Sequence, residues 1–209
     1  MSDVLEKIRN AFKELEKRVF VSEADFQHAF AMCLEQEFPG RVRLEYPVAI
    51  KEGRVHIDVV IKDEKENIFI PIELKYLTAK IDSEEKDEYT GLKYSEILTD
   101  QMAQNINSEH VFRDIWRIEQ MEQGGVCICI SNDKSYWCGE KHRTNSACHA
   151  FRLYKIENGK VLWSKSKCTF DCPETTDLPQ WETFLSGGED IKNGEFKYLY
   201  VEIPPKAKH

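Results

Sequence analysis

Apolar residues recur every three or four positions at Val4, Leu5, Ile8, Phe12, Leu15 and Val19, the period that lines one face of a helix. They predict a helix over about residues 3–20. Ser22 restarts the pattern: its hydroxyl can cap a second helix with Asp25 in the capping-box position, and Phe26, Ala29, Phe30, Cys33 and Leu34 form a stripe that runs to the stop at Pro39-Gly40. From Val42 the period falls to two. Val42, Leu44 and Tyr46 alternate with charged residues, Val55, Ile57, Val59 and Ile61 alternate again after Gly53, and Ile68, Ile70, Ile72 and Leu74 follow a polar turn. Three strands with short connections predict an antiparallel meander.

Residues 76–94 carry a charge run from Asp82 to Glu88 and read as a solvated loop, with a lid over a site as the sharper alternative. A helical stretch over about 95–122 follows, with a break near Asn107-Ser108 and an end at Gly124-Gly125. The unbroken apolar run Val126-Cys127-Ile128-Cys129-Ile130 predicts a strand buried on both faces, with its cysteines reduced and packed as small hydrophobes. Asn158-Gly159 predicts a hairpin between 151–154 and 161–163, and residues 196–203 a closing strand.

This order of elements predicts an α/β fold: a mixed central sheet flanked by helices, with a β-rich C-terminal extension. One domain over 1–209 is expected, with a core at about 22–131 and the β-rich part at about 132–209. Hydrophobic residues at 41% and aromatics at 11% supply enough burial to exclude a disordered chain. Seven scattered cysteines argue against a disulfide framework. The acidic N-terminus lacks an export signal and no membrane-length apolar run occurs, so a cytoplasmic protein without membrane association is expected. The net charge of −8 excludes a protein that coats nucleic acid unspecifically, yet leaves room for an acidic metal site beside a local basic groove.

Folding the second and third strands about the turn at Lys65-Glu66 pairs Ile61 with Ile70 and sets Asp58 opposite Glu73, with Lys75 two residues on. Directly opposed residues have Cβ atoms about 4.5–5.5 Å apart. Two carboxylates at that separation repel unless a cation or a raised pKa relieves them. Hard oxygen ligands of this kind favour Mg²⁺, with Mn²⁺ as a substitute. The plainer arrangement has Asp58 and Glu73 on a solvated sheet face, paired with His56, Lys75 and Arg54.

Asp58 followed by Glu73-Leu74-Lys75 resembles the D…(D/E)-x-K signature of the PD-(D/E)XK nuclease superfamily, over roughly residues 22–131. The resemblance implies a restriction-endonuclease-like core. It implies that Asp58, Glu73 and the Leu74 carbonyl bind Mg²⁺, that Lys75 orients or activates the attacking water, and that Glu23 on the preceding helix joins the site. Ile57 stands where the family's name has proline. The segment Asp114-Ile115-Trp116-Arg117-Ile118-Glu119 and the residues Gln101 and Gln104 resemble the helix that many members carry after the third strand. The implied activity is phosphodiester hydrolysis of nucleic acid, DNA in most members, often by a homodimer. The alternative is a catalytically silent nuclease-like domain that binds protein, which the acidic composition suits.

Cys138, His142, Cys148, His149, Cys168 and Cys172 crowd together, but their spacing is not a standard zinc pattern, and reduced cysteines are preferred to a structural Zn²⁺. His28 is expected to be partly buried beside its helix's apolar stripe. Lys134, Lys141, His142 and Arg143, interleaved with Tyr136 and Trp137, suit a nucleic-acid-contacting loop or a solvated one; Lys165 and Lys167 are too sparse to interpret.

Overall fold

A computed structural model describes residues 2–15, 17–51, 53–64, 67–81, 83–101, 104–138, 153, 161–162, 175–176, 179–186 and 191–206. The elements are α1 (Ser2–Glu14), α2 (Glu23–Glu37), β1 (Val42–Ile50), β2 (Gly53–Asp63), β3 (Ile68–Leu77), α3 (Tyr94–Ile97), α4 (Gln104–Glu119), β4 (Gly125–Ser131), β5 (Val161–Leu162), β6 (Thr175–Thr176), β7 (Glu182–Leu185) and β8 (Phe196–Ile203). Six strands form a mixed sheet in the order β1-β2-β3-β4-β8-β7, flanked by helices, while β5 and β6 pair separately. The chain divides into two compact units, one of residues 1–75, 114–128 and 200–209, the other of 76–113 and 129–199. No helix among the described residues is long and apolar enough to cross a membrane.

In the first unit, α1 buries Val4, Ile8, Ala11, Phe12 and Leu15, as its period predicts. It stops at Glu14 instead of continuing to residue 20. The cause lies ahead of α2, where Arg18 grips Asp25 with two hydrogen bonds and Phe20 packs on Phe26 at 5.3 Å, and both contacts need extended backbone. Ser22 caps α2 by accepting from the Asp25 amide; the Asp25 carboxylate accepts from Val21, one residue outside the expected box. Phe26, Phe30 and Leu34 are buried, whereas His28 is exposed, contrary to expectation. Phe30 meets Phe12 edge-on at 5.7 Å. Phe12 also touches Tyr200 of β8, and Arg9 bonds Glu202 at 2.9 Å.

The meander forms in the expected register, with Ile61 opposite Ile70 and Val59 opposite Ile72. The odd-numbered apolar residues of β2 do not make one continuous face, however. The β1–β2 ladder skips Glu45 and Asp58, and Glu45 sits at φ 49. Ile57 therefore clusters with Val60 and Met121, and Val48, Ile50, Val55 and Phe69 pack around them.

Gly124 turns α4 into β4 at φ 66, a left-handed conformation in which a Cβ would collide with the Ile203 carbonyl oxygen. Gly124→Ala is accordingly expected to cost about 2–4 kcal/mol in urea unfolding at unchanged m. A loss below ~0.5 kcal/mol would show that this turn tolerates a side chain. All seven residues of β4 are buried, and Cys127 and Cys129 are free thiols, as the apolar run predicts.

In the second unit the charged segment is less solvated than its composition predicts: Thr78, Ala79, Ile81 and Asp87 are buried. Asn132 holds Ala79 by both its amide and its carbonyl. Among the described residues the helical stretch is interrupted at 98–101, and α4 runs unbroken through Asn107-Ser108. There Gln101 donates its amide to Thr78, the Thr78 hydroxyl bonds Thr99, and the Lys80 amide bonds Asp100, contacts that draw this backbone out of the helix. Ser108 is buried inside α4. Tyr136 is buried with its hydroxyl bonded by Asn107, so it does not serve as an exposed stacking face. Cys138 is exposed and free. Val161 and Leu162 are extended, paired with Thr176 and Thr175. Most of the expected hairpin strand 151–154, together with Lys141, His142, Arg143, Cys148, His149, Lys165, Lys167, Cys168 and Cys172, lies outside the described residues.

Candidate metal centre

The site forms in the first unit, where β2 and β3 part. Their ladder ends at Val59 opposite Ile72. One residue earlier the Asp58 side chain replaces the ladder: its Oδ2 accepts the Leu74 amide at 2.6 Å, while the Asp58 carbonyl accepts from Gln27 on α2 at 2.8 Å. The same Gln27 amide reaches Glu45, fixing both ends of the irregularity in β1 and β2. The Asp58 and Glu73 carboxyls lie close enough for each to act on the other's charge. The two acids expected to face one another are therefore neighbours, although no regular cross-strand pair joins them.

Lys75 turns back over the same point. Its Nζ donates to the Leu74 carbonyl at 2.8 Å and lies 3.1 Å from Asp114 Oδ2 and 3.8 Å from Glu23 Oε1. Arg117, one turn beyond Asp114 on α4, bonds Asp114 Oδ1 at 2.9 Å and stands 3.7 Å from Glu73 Oε1. All five residues expected in the site, Glu23, Asp58, Glu73, Leu74 and Lys75, are thus gathered. His56 and Arg54 make no ion pair with Asp58 or Glu73 among the described residues, Lys75 pairs instead with Asp114 and Glu23, and Arg117 is the cation beside Glu73. Gln27, Asp114 and Arg117 are additions. The segment carrying Asp114 and Arg117 was marked by resemblance, but nothing in its sequence separated these two from the helix's other charges; their three-residue spacing puts both on one face.

Burial sets the electrostatics. Glu73 is 1% exposed and Asp114 3%. Burial first, then repulsion from Asp114 and Asp58, pushes Glu73 up to about 10, and burial also raises Asp58 despite the nearby Lys75 ammonium. Burial and like charge thus favour a shared proton on the Asp58–Glu73 pair when no metal is bound. Burial pulls Lys75 down, but Asp114, Glu23 and Asp58 together outweigh it and keep the lysine charged. Glu73 Oε1 and Asp114 Oδ2 are buried without a hydrogen-bond partner although each faces a cation, because neither contact has hydrogen-bond geometry.

Four carboxyls, on Glu23, Asp58, Glu73 and Asp114, confront two cations, Lys75 and Arg117, leaving two negative charges if all ionise. A divalent cation balances that surplus, and the partnerless Glu73 oxygen suits one. Among the described residues no three His, Cys, Asp or Glu side chains converge closely enough to hold a metal by themselves. The donor set that fits Mg²⁺ is smaller: the Asp58 and Glu73 carboxylates and the Leu74 carbonyl, with water completing the octahedron. Lys75 occupies the Leu74 carbonyl in this structure.

Family models, curated proteins and solved structures were compared with the chain, and none matches it.

Proposed function

We propose that this protein is a metal-dependent nuclease of the PD-(D/E)XK type, with a restriction-endonuclease-like core, hydrolysing phosphodiester bonds in DNA. The observation that carries the reading is the buried, interacting pair Asp58 and Glu73 beside the charged Lys75, in a group of four carboxyls that faces only two cations. Asp58, Glu73 and the Leu74 carbonyl would hold Mg²⁺. When bound, the ion supplies Lewis-acid polarisation of the scissile phosphate and acidifies a water.

The chain's own residues supply the rest. Lys75 brings a fixed positive charge to the developing phosphorane oxygens or to the attacking water. Asp114 and Glu23 keep that ammonium aimed by ion pairing from two helices. Gln27 and the Leu74 amide fix Asp58 from its backbone and its side chain, so its free oxygen presents without rearrangement. The burial of Glu73 and Asp114 strengthens each charge interaction by excluding water.

A second reading is favoured by one contact: Lys75 already satisfies the Leu74 carbonyl, as an internal cation would in a silent nuclease-like module. Calorimetric titration with Mg²⁺ or Mn²⁺, alongside plasmid cleavage, separates the two. The nuclease binds metal and cleaves; Asp58→Asn, which removes one charge from the ligand set, should weaken metal binding by tenfold or more and cleavage by ~10²-fold or more, both together. Wild-type protein that takes up no divalent cation at millimolar concentration sinks the nuclease reading.

A further inference from the structure

Beyond Asp58 the meander continues as a ribbon of two strands. Residues 53–57 of β2 pair with 46–50 of β1, and β3 pairs with β2 only from Val59 onward. The ribbon is stiffened from one side, where Val48, Ile50 and Val55 pack against the Ile57, Val60 and Met121 cluster. Its other positions include Ala49, Lys51, Arg54 and His56, all exposed.

Arg54 differs from the other arginines described. Arg9 holds Glu202, Arg18 holds Asp25, Arg41 lies over Phe38, Arg43 bonds the Gly40 carbonyl, Arg113 holds Glu109 and Arg117 holds Asp114. Arg54 has no hydrogen bond, ion pair or ring contact among the described residues, and neither has its strand neighbour His56. In a chain of net charge −8, an exposed arginine on this ribbon without a partner among the described residues is a charge available to an external anion. Four residues of strand cannot span more than about 14 Å, so Arg54 lies within that reach of Asp58, and His56 within about 7 Å. Successive phosphates flanking a scissile bond at Asp58 fall inside the same range.

We propose that the ribbon formed by residues 46–57 is the DNA-docking arm of this protein, with Arg54 and His56 binding the phosphate backbone of a duplex next to the cleavage site. A two-stranded ribbon has the width that the major groove of B-DNA admits, and guanidinium groups bind phosphate through paired N–H donors. The assignment rests on the nuclease reading for its substrate, but its test does not depend on cleavage.

Binding of a fluorescent duplex of about 20 base pairs is measured by anisotropy in EDTA, over a range of salt, for the full chain. The variants are Arg54→Ala, Arg54→Ala/His56→Ala and, as a control of equal charge change on another surface, Lys13→Ala at the exposed end of α1. Arg54→Ala should raise Kd by about tenfold near 0.1 M salt and lower the slope of log K against log salt by roughly one; the double variant should lose more, and Lys13→Ala little. Mg²⁺ titrations of the same samples should be unchanged by the ribbon variants. Equal affinity and slope for Arg54→Ala and wild type, or no duplex binding by wild type at low salt, overturns the proposal. A loss confined to single-stranded DNA overturns the duplex assignment. Absent metal binding together with an Arg54-dependent slope would instead remove the nuclease reading and leave the docking arm standing.

Discussion

Lys75→Ala should lower DNA cleavage by about 10²–10⁴-fold while Mg²⁺ binding is retained or tightened. The ammonium bonds the Leu74 carbonyl and repels an incoming cation, so under the proposed function its removal frees a ligand even as it deletes the charge that the proposed reaction uses. The substitution should also show itself in the absence of metal. Lys75 and Arg117 flank Asp114, whose side chain is 4% exposed, at 3.1 and 2.9 Å, and the Lys75 charge acts on Asp58 and Glu73 as well. Removing one member of a buried charge set typically costs about 3–5 kcal/mol, so metal-free Lys75→Ala should melt well below wild type and regain much of the difference in Mg²⁺. Activity and Tm with and without metal decide the matter: cleavage at the wild-type rate would reduce Lys75 to an internal counter-ion.

Stability of the metal-free protein should fall as pH rises from about 5 to 9, by up to about 1.4 kcal/mol per unit for one proton. The Glu73 carboxyl is raised by burial to about 10 from the ordinary glutamate value of 4.5, so between these limits the folded chain holds a proton that the unfolded chain has released. Its contribution is complete below the unfolded value and is lost on the way up to the folded one. Saturating Mg²⁺ should flatten the dependence, because both carboxylates then ionise onto the metal. Glu73→Gln, which keeps the shape and cannot ionise, should flatten it too, raising metal-free stability at pH 8 by about 1–3 kcal/mol while abolishing metal binding. A Tm that rises with pH in EDTA would contradict the protonated pair. Parallel pH profiles for wild type and Glu73→Gln would place the dependence elsewhere.

The register that brings Asp58 to Glu73 was legible because period-two alternation in two adjacent strands allows few pairings. What alternation does not encode is where a ladder stops. Asp58 ends it by bonding the Leu74 amide with a side chain, and Glu45 opposite adopts a positive φ; both are side-chain and backbone choices with no footprint in the hydrophobic pattern. The end of α1 was hidden for a similar reason, since the periodicity runs on through Val19 while the Arg18–Asp25 bonds stop the helix. The break before α4 depends on hydrogen bonds to Thr78 and Lys80, some twenty residues earlier. Asp114 and Arg117 read as ordinary helix charges until the fold placed them on Lys75 and Glu73.

The pairing of Arg9 with Glu202 and of Phe12 with Tyr200 joins α1 to β8 across 193 and 188 positions of chain. A ribosome delivers residue 9 long before residue 202, so α1 must wait through the intervening 193 positions for the strand that packs on it. Contacts of such separation slow the search for the native state, because the entropy of closing so large a loop is lost before any compensating contact forms. The acidic cluster of α2, β2, β3 and α4 needs residues only up to Arg117, but the unit that holds it also includes β8. A nascent chain therefore cannot complete this unit until residues 200–203 emerge, and damage to them should present as slow, aggregation-prone folding with the acidic cluster's own side chains unchanged.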